Sequence, residues 1–180
     1  MKIKKEDAVC LVIDVQEKLV PAIHNQEEVV KKTIQLLNGL KTLDCPVIFT
    51  QQYTKGLGMT VPEIVETQEN FQYIEKITYS CLDTEEVKET LKKLGKKTVI
   101  IAGLETHICV MQTVRDLIAD GYQVYLAADC ISSRTAFHYQ VGMERMKQEG
   151  AVISSVESVL FEMLVKAGTP EFKTISKIIK

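Results

Sequence analysis

Three residues able to cooperate in acyl-transfer chemistry stand at the ends of apolar, strand-like runs. Asp14 follows "AVCLVI", Lys76 closes "FQYIEK", and Cys109 lies in the first turn of the helical pattern after "TVIIAG". A free thiol ionises near pH 8.5, so only a small fraction is thiolate at neutral pH. A helix N-terminus and a nearby ammonium favour the thiolate, and Lys76 could supply that ammonium. Asp14 could take the thiol proton and pass it to a leaving group. The unpaired N–H groups of a helix start could hold the oxyanion formed when sulfur attacks a carbonyl. The chemistry would be attack, expulsion of an amine or similar group, then hydrolysis of a thioester. A thiolate of this kind is expected to react with alkylating agents well below about pH 8. Each residue also has an ordinary structural use: an Asp caps turns, a Lys is solvated, a thiol packs. Spacing alone leaves both open. His107, two residues before Cys109, does not face it on a helix start.

The surrounding pattern says what must position these residues. "AVCLVID", "CPVIFTQQ", "FQYIEKIT", "KTVIIAG", "YQVYLAAD" and "AVISS" read as strands, and amphipathic helical stretches separate most of them. "QEEVVKKTIQLLNGLKTL" places Val29, Val30, Thr33, Ile34, Leu37 and Leu40 on one side. In "DTEEVKETLKKLG", Asp83 is the expected cap, Glu86 the capping-box partner and Gly95 the terminator. Ser154 with Glu157 is the expected capping box of "VESVLFEMLVKAG", and Thr169-Pro170-Glu171 opens a last helix. Strands alternating with helices predict an α/β fold: a three-layer α/β/α sandwich around a mostly parallel sheet of about six strands. No linker, repeat or low-complexity segment divides residues 1–180, so a single domain is expected. Ligands bind such sheets beyond the carboxyl ends of the strands. That places Gln16, Gln51, Gln52, Tyr53, Tyr79 and Thr106 as pocket candidates. Ser132-Ser133-Arg134 reads as a helix-capping turn with an ion pair, the other reading being a lining of the site or of a subunit contact.

Bulk composition narrows the function classes. The 180 residues carry a net charge of −2, which argues for no nucleic acid and no membrane surface as partner. No apolar run approaches the roughly 20 residues that span a bilayer, and the charged start "MKIKKED" reads as no export signal. Five cysteines without a CxxC pair fit a reduced, cytoplasmic protein. Cys10, Cys45 and Cys130 read as buried small hydrophobes. "VESVLFEMLVKAG" looks too apolar to leave exposed, and predicts a homo-oligomer, at least a dimer.

Several blocks resemble the isochorismatase-like cysteine hydrolases, a family that includes nicotinamidases and other small-molecule amidases. "CLVIDVQEKLV" is similar to the family's first strand with its Asp-x-Gln, and "EKITYSCL" to the segment carrying its lysine. "AGLETHICVMQT" resembles the Gly-x-x-Thr-x-x-Cys-Val block with its nucleophile, and "ADCISSR" the segment after the next strand. "TPEFKTISKIIK" looks most like the isochorismatase domain-containing subgroup. The resemblance implies an Asp–Lys–Cys triad at Asp14, Lys76 and Cys109. It also implies an oxyanion hole from the backbone N–H groups of Glu105 and Cys109, and a cis peptide at Leu104–Glu105. Nicotinamidases carry an Asp-x-His and further histidines for a metal after the second strand. Here that region is "FTQQYTKGLGMTVPEI", and His24, His107 and His138 are scattered, so no metal and no cofactor are expected. Isochorismatase proper lacks the cysteine, so Cys109 argues against vinyl ether cleavage. The expected activity is a metal-independent amidase-type hydrolase of a small-molecule substrate. The competing expectation is an interaction protein with a vestigial site, its Cys109 kept for packing or redox response.

Overall fold

The computed structural model describes residues 2–180. Its strands are β1 (Ala8–Ile13), β2 (Val47–Gln52), β3 (Ile74–Lys76), β4 (Thr98–Leu104), β5 (Gln123–Ser132) and β6 (Val152–Ser154). They form one six-stranded sheet in the order β3-β2-β1-β4-β5-β6, and every neighbouring pair is parallel. The helices are α1 (Gln26–Thr42), α2 (Thr54–Leu57), α3 (Pro62–Val65), α4 (Glu85–Leu94), α5 (Met111–Ala119), α6 (Ala136–Gln148), α7 (Val156–Leu164) and α8 (Pro170–Ile179).

A parallel sheet covered on both faces needs strands that are apolar throughout, and β1 and β4 are buried at every position. Side chains still alternate between the two layers. Ala8, Cys10 and Val12 pack with Leu36, Leu37 and Leu40 of α1, Val159, Leu160 and Met163 of α7, and Ile175 of α8. Val9, Leu11 and Ile13 pack with Val87 and Leu91 of α4, Val114 and Leu117 of α5, and Met146 of α6. The α/β/α sandwich expected from the pattern is the one observed.

The sheet order reverses between β1 and β4, so their carboxyl ends open onto the crevice where connections leave toward opposite sides. Gly103 makes the close approach possible there. Its φ is +119°, and a Cβ on it would lie 2.0 Å from the Ile13 carbonyl oxygen, so no other residue fits.

Several boundaries differ from expectation. Asp83 lies in a short 3-10 turn (Cys81–Asp83), and Thr84 occupies the N-cap of α4 without a side-chain cap bond; the Thr84 hydroxyl is instead 2.8 Å from that of Thr78. Gly95 closes α4 in the left-handed region as expected, at φ 63°. β6 runs through Ser154, so the cap of α7 falls one residue later, on Ser155. β5 continues to Ser132 because the register against β4 shifts between Ile101 and Gly103, which lets Cys130 and Ile131 also be buried. The apolar side of α7 is covered within the chain itself: Val156, Val159, Leu160 and Met163 are all buried. Phe161 and Val165 of the same segment remain exposed.

Candidate functional site

Asp14 is the first residue past β1. Its backbone sits in the left-handed region at φ 53°, and its N–H donates to Thr50 O across the sheet at 3.2 Å. This turns the carboxylate inward, where its exposure is 0%. Oδ1 accepts from the Thr50 hydroxyl at 2.7 Å. Oδ2 lies 2.7 Å from Lys76 Nζ in an ion pair whose side chains are both wholly buried. Lys76 Nζ also donates to Gln52 Oε1 at 2.7 Å and to Thr78 O at 3.1 Å. A buried ammonium is tolerated only with such partners. Burial pulls Lys76 down, but the acidic groups of Asp14, Cys81 and Cys109 outweigh it, and the net shift is upward.

Cys109 enters through the segment after β4. The Leu104–Glu105 peptide is cis, as the resemblance implied. Thr106–Val110 then winds as a wide π turn before α5 begins. Within it the Glu105 carbonyl accepts from Ile108 N–H at 3.0 Å and Val110 N–H at 3.3 Å, bypassing the Cys109 N–H. Two contacts fix this turn. Arg134 donates to the Glu105 carboxylate through its backbone N (3.0 Å), Nε (3.1 Å) and Nη2 (2.6 Å). Burial pushes the Glu105 carboxyl up, yet the Arg134 bonds and charge hold it below the usual range. On the other side, α6 presses on the turn at Gly142, where a Cβ would lie 2.9 Å from the Thr106 carbonyl.

The Cys109 thiol is 8% exposed. Burial and the Asp14 charge push it up to about 12, with Lys76 opposing. This direction runs against the thiolate that the helix start and Lys76 were expected to favour. The helix start and Lys76 are present, but desolvation of the sulfur outweighs them. Burial and the neighbouring Asp14 charge thus favour the thiol form of Cys109.

His107 is engaged away from the sulfur. Its Nδ1 is 3.0 Å from Ser133 Oγ, and its ring stacks on His138 with centroids 4.3 Å apart. Burial holds it below its ordinary value, with His138 and Arg134 adding to that and Glu105 opposing. The ion pair expected in Ser132-Ser133-Arg134 is made by Arg134 with Glu105, whereas the helix cap falls one residue later, on Thr135, which accepts from His138 N–H.

The pocket candidates divide. Gln16 is spent on backbone: Nε2 donates to Gln52 O and Gly58 O, and Oε1 accepts from Gln52 N–H. Gln51 donates to Thr60 and accepts from Thr54. Both glutamines are fully buried and hold the segment after β2 in place. Tyr79 is exposed, and Thr106 is buried with its hydroxyl unpartnered. Sequence reasoning did not find Thr50, Cys81 or Thr113, although polar residues inside buried runs were a visible signal. Among the described residues no three His, Cys, Asp or Glu side chains gather to hold a metal. After β2, Gln52 Oε1 accepts from Lys76 Nζ, and the Thr54 hydroxyl donates to Gln51 Oε1, so both neutral oxygens are already engaged.

The fold, with polar residues and a lone thiol at the switch point, defines a three-layer hydrolase sandwich of the cysteine kind. The isochorismatase domain model matches residues 8–158, and the chain belongs to this isochorismatase-like hydrolase superfamily. It is 38% identical over 177 residues to the secreted isochorismatase effector Isc1 of Phytophthora sojae, covering 96% of this chain and 84% of that protein. It is 36% identical to isochorismatase domain-containing protein 2 of Xenopus laevis, covering 99% and 86%. The solved structure of the MAR1 ribonuclease from Caenorhabditis elegans superposes with a TM-score of 0.94 at 32% identity, covering 99% of this chain and 92% of that one.

That last likeness overturns one expectation. Nucleic acid was set aside as a partner on net charge, but solved structures that share this fold at 29% to 32% identity carry ribonuclease names. Net charge is a sum over the whole surface and does not constrain a local groove. No helix among the described residues is long and apolar enough to cross a membrane.

Proposed function

We propose that this chain is a cysteine hydrolase that cleaves a small amide or related acyl compound through a thioester on Cys109. The observation that carries the reading is the buried Asp14–Lys76 ion pair, its Oδ2 without an aligned hydrogen bond, in the same charge cluster as the Cys109 thiol. Asp14 Oδ2 takes the Sγ proton as sulfur attacks the carbonyl carbon. The backbone N–H groups of Glu105 and Cys109 hold the resulting oxyanion. Collapse breaks the C–N bond, and the amine leaves with the proton from Asp14. Water then attacks the thioester and gives a proton to Asp14; collapse breaks the C–S bond, the acid leaves, and Asp14 returns the proton to the Cys109 sulfur. Lys76 holds the carboxylate in place through the buried ion pair.

The test is intact-mass detection of acyl adducts across a panel of small amides, run beside cleavage of a single-stranded RNA oligomer. Wild-type protein is expected to show an adduct on Cys109 and turnover of the matching amide. Cys109→Ala, folded by circular dichroism, is expected to show neither. Amide turnover by Cys109→Ala, or RNA cleavage with no adduct from any amide, would overturn the proposal.

A further inference from the structure

We propose that Thr50, backed by Cys81, is a positioning residue that decides which oxygen of Asp14 receives the Cys109 proton. The inference rests on the reading of Asp14 as the base for Cys109.

Thr50 has one hydroxyl hydrogen, and it is committed to Asp14 Oδ1 at 2.7 Å. Cys81 Sγ lies 3.9 Å from the same hydroxyl oxygen. With the hydroxyl hydrogen already given away, the contact leaves the Cys81 S–H as donor and Thr50 as acceptor. The result is a directed chain from Cys81 through Thr50 to Oδ1, with Thr50 and Cys81 both essentially buried. Burial and the Asp14 charge push the Cys81 thiol up to about 11, which keeps it a donor.

Cys81 is itself anchored to the sulfur-bearing turn. Its backbone N–H donates to Thr113 Oγ1 at 3.0 Å, and that hydroxyl donates to Cys109 O at 2.7 Å. One arm of this network therefore ends on the carboxylate and the other on the residue it must deprotonate. Oδ1 is occupied. Oδ2, beside Lys76, has no aligned hydrogen bond and is the oxygen left to accept a proton. Within the triad Lys76 marks Oδ2 by charge, but only Thr50 takes up the acceptor capacity of Oδ1.

The test follows iodoacetamide alkylation of Cys109 against pH, quantified by peptide mass, and needs no substrate. The ionisable groups facing Asp14 are Lys76 from β3, Cys81 from the 3-10 turn and Cys109 from the π turn. Asp14→Asn is expected to abolish the fast alkylation that depends on the base. Thr50→Val, nearly isosteric but unable to donate, is expected to move the acid limb up by about one pH unit and slow the plateau by about tenfold. Thr50→Ser should restore the wild-type profile, and Cys81→Ala should shift the limb the same way by less. A Thr50→Val profile that superimposes on wild type, with Asp14→Asn inactive, overturns the positioning role and leaves the base intact. An Asp14→Asn profile like wild type overturns the base reading and this inference with it. If Thr50→Val does not fold, Cys81→Ala decides, and a wild-type limb in that variant overturns the proposal.

Discussion

Lys76 is the residue whose removal leaves the most behind. Its ammonium and the Asp14 carboxylate are 2.7 Å apart with no solvent access to either side chain. Lys76→Met would strand a carboxylate in the interior, at a cost of about 3–5 kcal/mol. The double variant Lys76→Met/Asp14→Asn should recover part of that loss, since no charge is then stranded. Urea unfolding measures both, and a single variant as stable as wild type would refute the stranded-charge argument. Asp14 and Lys76 were visible as polar residues closing apolar strands, and Cys109 as a thiol on the turn after one, but what joined the three was the resemblance and not their spacing. Their supports were not visible. Thr50 meets Asp14 only because the register pairs Ile13 with Thr50, and Gln52 reaches Lys76 only across the β2–β3 pair. The protonation state of Cys109 was misjudged for a similar reason: helix start and lysine are written in the sequence, whereas burial of the sulfur is a product of packing.

At the scale of elements, two glycines separate fold from site. A Cβ at Gly103 meets the Ile13 backbone of the neighbouring strand at 2.0 Å, and neither central strand can give way. Gly103→Ala should destabilise by well over about 1 kcal/mol. At Gly142 the obstacle is the Thr106 backbone at 2.9 Å, on a turn that can shift by a few tenths of an ångström. Gly142→Ala should therefore leave most of the melting temperature intact while slowing Cys109 alkylation. Thermal melts beside alkylation rates check the pair; equal stability losses would mean the turn is as rigid as the sheet. Strand and helix identities followed from the alternation of apolar runs and amphipathic stretches, because a covered parallel sheet leaves little freedom in that pattern. Cap positions did not. Ser154 and Ser155, or Asp83 and Thr84, are interchangeable in local chemistry, and only the point where each strand or turn releases the chain chooses between them.

For the molecule as a whole, the buried thiols set an alkaline limit. Burial, the largest cause for each, raises Cys10 and Cys130 well above 9.0, Cys45 and Cys109 to about 12 and Cys81 to about 11. In the unfolded chain these thiols ionise near 9. Above that pH the unfolded state binds fewer protons than the folded one, so stability falls as pH rises. The loss is at most about 1.4 kcal/mol per thiol per pH unit. Urea midpoints should be steady up to about pH 8.5 and fall steeply by about pH 10.5, with Cys10→Ala softening the slope. A flat profile would mean that the interior admits thiolates. Apolar strand patterns had placed Cys10, Cys45 and Cys130 inside the protein; composition alone had not. It carried no information about local partners, and the exclusion of nucleic acid drawn from net charge failed for that reason.

The two edges of the sheet are only three residues long, β3 and β6, and β3 is where Lys76 rides. Asp14 and Cys109 follow central strands paired on both sides, whereas Ile74–Lys76 is zipped to β2 alone. Amide hydrogen exchange should show β3 opening far more often than β1 or β4. Each such opening withdraws the ammonium while the rest of the sheet stays closed. Loss of the ion pair can then precede loss of the fold, and a population of folded but disarmed molecules would grow with temperature well below the melting transition.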